Sequence, residues 1–222
     1  MRRTTGLAPW ALALALACVG GASLAHPHIL VEARAHITLD AQGRITAVEN
    51  IWDFDKAFSA FAIQGYDSAH NGLPTRADLQ PLAKINMESL KDYQYFSQIK
   101  LDGQTFELEN PSDFYDVFEN ETLEVHFVLH PAAPIDLKGR AFEFNVYDPE
   151  YFAAIRFAPK DPVQITGAAS ACTIELHRPG VLDPKIAAIV ATIPASQREL
   201  PPDLFAATAQ LINGALIQCP EK

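Results

Sequence analysis

Hydrophobic and polar side chains trade places along the stretch His28 to Thr38. Ile29, Val31, Ala33, Ala35 and Ile37 fall on one face, while His28, Glu32, Arg34, His36 and Thr38 fall on the other. A repeat of two positions marks a strand with one buried face. "AQGR" then reads as a turn and "ITAVENIWDFD" as the partner strand, with Trp52 and Phe54 near its end. The short Gly-containing link predicts a hairpin.

The spacing changes at Asp55. In "DKAFSAFAIQGY" the residues Phe58, Phe61, Ala62 and Gly65 follow a helical repeat, with Asp55 placed as the N-cap. A turn-rich stretch, "DSAHNGLPTRADLQPL", leads into a second helical pattern ending near "KDYQYF", in which Pro81 marks the early turns or a kink. Residues of about 55 to 94 thus read as a helical insertion between strands. Alternation then returns. "YFSQIKLDGQTFELEN" predicts a hairpin about Asp102-Gly103. "ETLEVHFVLH", "RAFEFNVYD", "YFAAIRFAP", "DPVQITGAA" and "ACTIELHRP" are short strand candidates divided by Pro, Gly and Asp. Beyond Gly180, "DPKIAAIVATI" and "PPDLFAATAQLINGALIQC" carry helical spacing with prolines at their starts, and "GALIQC" suits a closing strand equally well. The expected class is mainly β (α+β): an antiparallel β-sandwich-like domain with the helical insertion and C-terminal helical segments.

The first residues stand apart from this pattern. Arg2 and Arg3 precede an uncharged apolar run, and small residues at Ser23 and Ala25 follow it. That layout predicts a signal peptide over residues 1–25, a single domain over 26–222 and a periplasmic location. The run is short of the roughly 20 apolar residues of a membrane span. Lipid attachment at Cys18 is the rival reading, disfavoured because Ala15 stands where such a site prefers leucine. Removing residues 1–25 takes two arginines and no acids, so the charge moves from −10 to −12 (15 basic, 27 acidic). Such a balance carries no electrostatic footprint for nucleic acid and would suit a cationic ligand. It also leaves Cys172 and Cys219 as the two remaining thiols, and an oxidising compartment favours their pairing.

Cleavage after Ala25 would make His26 the first residue of the mature chain. Its α-amino group and ring, with His28 two positions on, resemble a histidine brace for a divalent transition metal. Pro27 has no N–H to lose, which excludes a copper motif built on deprotonated amides. Asp55 and Asp148 are the candidate carboxylates beside it, either as ligands or as acceptors for an imidazole N–H. The plain alternatives are an exposed terminus, a helix cap at Asp55 and an Asp-Pro turn at Asp148. "DSAHNGLPTRAD" has the skeleton of a calcium loop, with Asp67, Asn71, Gly72 and Asp78 in place. Ala69, Pro74 and the short Asp78 leave too few oxygens for tight binding, and His70 is then a lone surface histidine. His126 and His130 are expected on the exposed face of a strand, too far apart to share an ion. No nucleophile motif or phosphate loop is present in the sequence.

"AHPHILVEA", "IWDFDKAFS", "DSAHNGLPTRADL", "YF" before a hairpin, "VYDPEYF" and a late cysteine pair occur in this order. Together they resemble the family of domain of unknown function one thousand and seven, described as an uncharacterised periplasmic component of an ABC-type transport system. The resemblance spans nearly the whole mature chain, departing at Ala69 and Pro74, where the family loop is richer in acids. It implies a role linked to metal transport, because such genes often lie beside nickel/cobalt-type permeases, and it supplies no catalytic residues. Three functions are therefore expected in order: a metal-binding accessory protein of a membrane permease, a non-metal module docking on the permease, and a copper-dependent redox enzyme using Tyr147 and Tyr151.

Overall fold

The computed structural model describes residues 28–167, 172–180, 182–193, 201–208 and 211–220. It is mainly β, with two sheets sharing one apolar core. The predicted first hairpin is present as β1 (Ile29–Leu39) and β2 (Arg44–Phe54). Its turn is closed by Asp40, which accepts the amides of Gln42 and Arg44 at 2.9 Å each and the Arg44 guanidinium Nε–H at 2.7 Å. The register then slips by one residue: Leu39 faces Ile45, but Thr38 faces Ala47. Thr46 is the extra residue of this bulge, and its hydroxyl donates to the Thr38 carbonyl at 3.2 Å.

Asp55 caps α1 (Lys56–Ala62), and Thr75 caps α2 (Arg76–Lys91) through a reciprocal box with Asp78. Pro81 lies inside α2, whose buried stripe is Leu79, Leu82, Ala83 and Met87. The chain leaves α2 through Gln94, Tyr95 and Phe96, three consecutive non-glycine residues with φ of 51°, 54° and 51°. Left-handed backbone costs roughly 1–2 kcal/mol per residue. It is held here by burial of Tyr95, whose hydroxyl donates to Asn110 at 2.9 Å, and by Ser97, whose hydroxyl reaches the Tyr95 carbonyl at 3.0 Å. The Asp102-Gly103 hairpin follows, with positive φ at both turn residues as this tight turn needs, joining β3 (Ser97–Leu101) to β4 (Gln104–Phe106).

The remaining elements are β5 (Asp113–Glu119), β6 (Thr122–Leu129), β7 (Ile135–Asp136), β8 (Phe142–Val146), β9 (Ala153–Phe157), β10 (Val163–Gly167), β11 (Thr173–His177), α3 (Pro184–Val190), α4 (Pro202–Thr208) and β12 (Asn213–Gln218). The first sheet runs β10-β1-β2-β6-β5, with β7 and β9 added beside β2 and β1. The second runs β11-β12-β8-β3-β4. Trp52, Phe127 and Ile37 from the first meet Ile99, Phe144 and Ile217 from the second in the core.

The structure decides one open alternative and corrects one expectation. "GALIQC" resolves as strand, since β12 pairs antiparallel with both β8 and β11. The first sheet is mixed, because β9 pairs parallel with the first half of β1 and β10 with the second. The two short strands share one edge across the link Ala158–Pro162. The Ala158 amide donates to Ala33, and the Pro162 carbonyl accepts from Ala35. Pro159 and Pro162 have no amide to give the ladder, so a single long strand is not available there.

Cys172 and Cys219 form a disulfide, and their neighbours Thr173 and Gln218 face each other in the β11–β12 ladder. The bond closes a 47-residue separation. Replacing both cysteines by serine should lower unfolding stability by roughly 4 kcal/mol in the chain-entropy picture. Urea denaturation of the double variant against the oxidised wild type measures this.

Candidate functional site

Three of the four residues expected to hold a metal, His28, Asp55 and Asp148, lie about the start of β1 and the turn beside it. His28 immediately precedes that strand. Its amide donates to the Phe152 carbonyl at 2.9 Å, and its ring lies 4.9 Å from the Phe152 ring. Asp148 organises the opposite side of this contact. The chain turns at Asp148-Pro149 from β8 in one sheet to β9 in the other, and the buried Asp148 carboxylate accepts the amides of Glu150 and Ala153 at 2.8 Å each. Burial pushes this carboxyl above its ordinary range, and the amides of Ala153, Glu150 and Phe152 oppose the shift.

Asp55 sits beside β1 as well. One oxygen accepts the Phe58 amide at 2.9 Å and caps α1; the other accepts the Leu30 amide at 3.0 Å. The Asp55 amide returns a bond to the Leu30 carbonyl. Each carboxylate thus holds backbone within two residues of His28 or of its partner Phe152. His26 lies outside the described residues. Among those described, no three His, Cys, Asp or Glu residues are grouped to hold a metal ion. The calcium-like loop is used for chain geometry: Asp67 accepts the Gly72 amide at 2.6 Å, and Asp78 belongs to the α2 capping box.

A second polar array occupies the outer face of the first sheet. Arg34 donates to Asp53 at 2.8 Å and also to Glu124. The other Glu124 oxygen pairs with His126 Nε2 at 2.5 Å. Glu49 bonds His36 Nδ1 at 2.9 Å, and its other oxygen is 4.0 Å from His126 Nδ1. Tyr115 stacks on His126 at 4.4 Å, and the Arg76 guanidinium lies 3.3 Å over the Tyr115 ring. Asp53 and Glu124 divide their titration unequally. The His126 bond holds Glu124 below the carboxylate range, while burial and then the neighbouring Glu124 hold Asp53 above it. His126 is therefore a well-covered member of this ladder, its side chain 12% exposed, whereas His130 is exposed as expected.

Behind the ladder, β5 turns Asp116 inward. The residue is fully buried, and one oxygen accepts from Asn86 of α2 at 3.1 Å. The other has no hydrogen-bond partner among the described residues. Burial pushes the carboxyl up to about 7. The folded state thus holds this proton more tightly than the unfolded chain does. Stability from this group is complete at acid pH and falls as pH rises towards 7.

Two outcomes follow. Asp116→Asn should remove that fall and raise stability at pH 8 by on the order of 1 kcal/mol or more, seen in pH-dependent urea melts. Asp55→Ala should cost roughly 2 kcal/mol through the lost cap and the lost Leu30 contact, with Asp55→Asn recovering most of it in the same assay.

The chain has relatives. An uncharacterised protein of Haemophilus influenzae is 27% identical over 199 residues, which is 88% of this chain and 92% of the relative. Residues 11–219 match the family described as protein of unknown function (DUF1007), so that the core strands, the Asp148 turn and the cysteine pair all lie inside the match. With nearly its whole length covered, this chain belongs to the DUF1007 family.

Proposed function

We propose that this protein is an exported accessory protein of a transition-metal transport system of the nickel, cobalt or zinc type. In this reading it binds one divalent ion at the His26-Pro27-His28 start and serves a membrane permease in the periplasm. The observation that carries the reading is the anchoring of His28. Its backbone and ring are both held against Phe152, so the residues before it leave from a fixed point on the fold. An imidazole at a fixed strand start is oriented before the ion arrives, which lowers the ordering cost of binding. Asp55 and Asp148 support it from both sides by holding residue 30 and the turn that ends at Phe152.

The donor set constrains the site. With no group of three suitable side chains among the described residues, the amine and ring of His26 must supply the further nitrogens. No helix of the described residues is long and apolar enough to cross a membrane, so the reading assigns the membrane step to a separate permease. A docking module without metal is the second reading. It draws on Phe61, Leu73 and Ile85, large apolar side chains exposed on the helical insertion.

Calorimetric titration of protein beginning at His26 with Zn, Ni, Co and Cu tests the proposal. One saturable site is expected, weakening as pH falls because imidazole and amine must shed protons to bind. His28→Ala should remove one ligand, and one extra residue before His26 should disable the amine chelate. Equal binding by all three forms, or by none, would leave the docking module in its place.

A further inference from the structure

A cavity of about 270 Å³ lies under the Asp148 turn, walled by β1, β2, α1, α2 and the turn itself. Six aromatic rings line it: Trp52, Phe54, Phe58, Tyr93, Phe96 and Phe152. Several are fixed against their neighbours. Trp52 stacks on Phe96 at 6.2 Å and meets Phe127 edge-on at 4.9 Å, while Phe54 stacks on Phe58 at 5.0 Å. The left-handed turn at Gln94–Phe96 places Phe96 in this wall, where its carbonyl accepts the Tyr147 amide. Apolar cavities of about 150 Å³ admit a benzene ring, so this one has room for a ring with a short substituent.

The polar groups of the lining decide what that substituent is. Lysine, arginine and histidine are absent from it, so an anion would find no countercharge. A cation would find no free acid. Both Asp148 oxygens accept backbone amides, burial pushes that carboxyl towards its neutral form, and Glu150 is not without a partner in the protein. Trp52 differs from them. It is 2% exposed, and its indole Nε1–H is the one buried side-chain polar atom of this lining with no hydrogen-bond partner among the described residues. A buried donor left unpaired costs stability, and an acceptor that reaches it makes a bond strengthened by the low dielectric around it. We propose that this cavity binds a small neutral molecule with an aromatic ring and one acceptor oxygen, its ring among Phe54, Phe58 and Phe96 and its oxygen on the Trp52 Nε1–H. Asp148 and Phe152 are shared with the metal reading. Trp52 takes no part in that reading, and the proposal does not rest on it.

Three probes of one shape test the proposal: acetophenone, α-methylstyrene, in which a methylene replaces the carbonyl oxygen, and benzoate. They are titrated against the chain from His26 onward, which carries every described strand and helix, with a chelator present. Trp10 is then absent, so the single indole N–H resonance in the proton spectrum belongs to Trp52. Acetophenone should move that resonance downfield to saturation, and α-methylstyrene should not move it downfield. Benzoate should not bind. Trp52→Phe keeps a ring but removes the donor. It should weaken acetophenone roughly tenfold and leave α-methylstyrene within about twofold, as followed by the probes' own resonances. Thermal melts show whether this variant is folded, and if it is not, the wild-type resonance alone decides. Metal binding is read in its own titration, so its failure leaves these outcomes as they stand. No saturable downfield shift with acetophenone at millimolar concentration, benzoate binding as tightly as acetophenone, or equal weakening of acetophenone and α-methylstyrene by a folded Trp52→Phe would overturn the proposal.

Discussion

The single extra residue at Thr46 decides which way the second strand faces. Counted outward from the turn without it, His36 would oppose Val48, and the apolar side chains of β2 would be turned to solvent. With the bulge, Val48, Asn50 and Trp52 go inward, and Glu49, Ile51 and Asp53 go outward. A one-residue slip reverses every side chain of a strand, so this position carries more than its local geometry suggests. The inward set builds the core around Trp52 and one wall of the aromatic cavity. The outward set supplies two of the three acids in the Arg34–His126 ladder. The core and the outer ladder both depend on the same irregularity.

Much of the architecture was legible from local pattern. The alternation in β1, the Asp55 cap, the Asp102-Gly103 turn and the cysteine pair all follow from short-range rules, and each is present. The parallel pairing of β9 and β10 with β1 was not legible, because alternation predicts strands without naming their partners. β5 escaped for a different reason. Its inward positions are Phe114, Asp116 and Phe118, and a charged residue in the middle of a buried face erases the period-two signal. The same buried acid that hides the strand is one that the core tolerates through Asn86 and an upward-shifted titration.

The candidate site divides along similar lines. Asp55 and Asp148 could be chosen from the sequence as carboxylates near the first strand, and both do flank its start. Their engagement with backbone amides is a property of the folded turns, and the helix cap and Asp-Pro turn anticipated part of it. The outer ladder was invisible for want of register, since His36 and Glu49 meet across a bulge and Glu124 arrives from a strand 71 positions beyond Asp53 (124 minus 53). A Ser/Thr-x-x-Asp pattern at Thr75–Asp78 was readable as a capping box, and would have explained Asp78 without reference to calcium. The rings of Trp52, Phe54 and Phe58, of Tyr93 and Phe96, and of Phe152 line one cavity from three separate stretches of chain, and no spacing rule collects them.

The covalent link between β11 and β12 has a consequence for self-association. β11 is the outermost strand of its sheet and buries little, none of its five residues being fully covered. It shields β12, whose Asn213, Gly214, Ala215 and Ile217 are buried. If β11 peeled away, the amides and carbonyls of a six-residue strand would be offered to any extended chain nearby. The Cys172–Cys219 bond keeps the guard strand at its post while its ladder breathes. An oxidised chain therefore keeps β12 covered by a tethered β11, whereas a reduced one relies on the ladder alone to cover it.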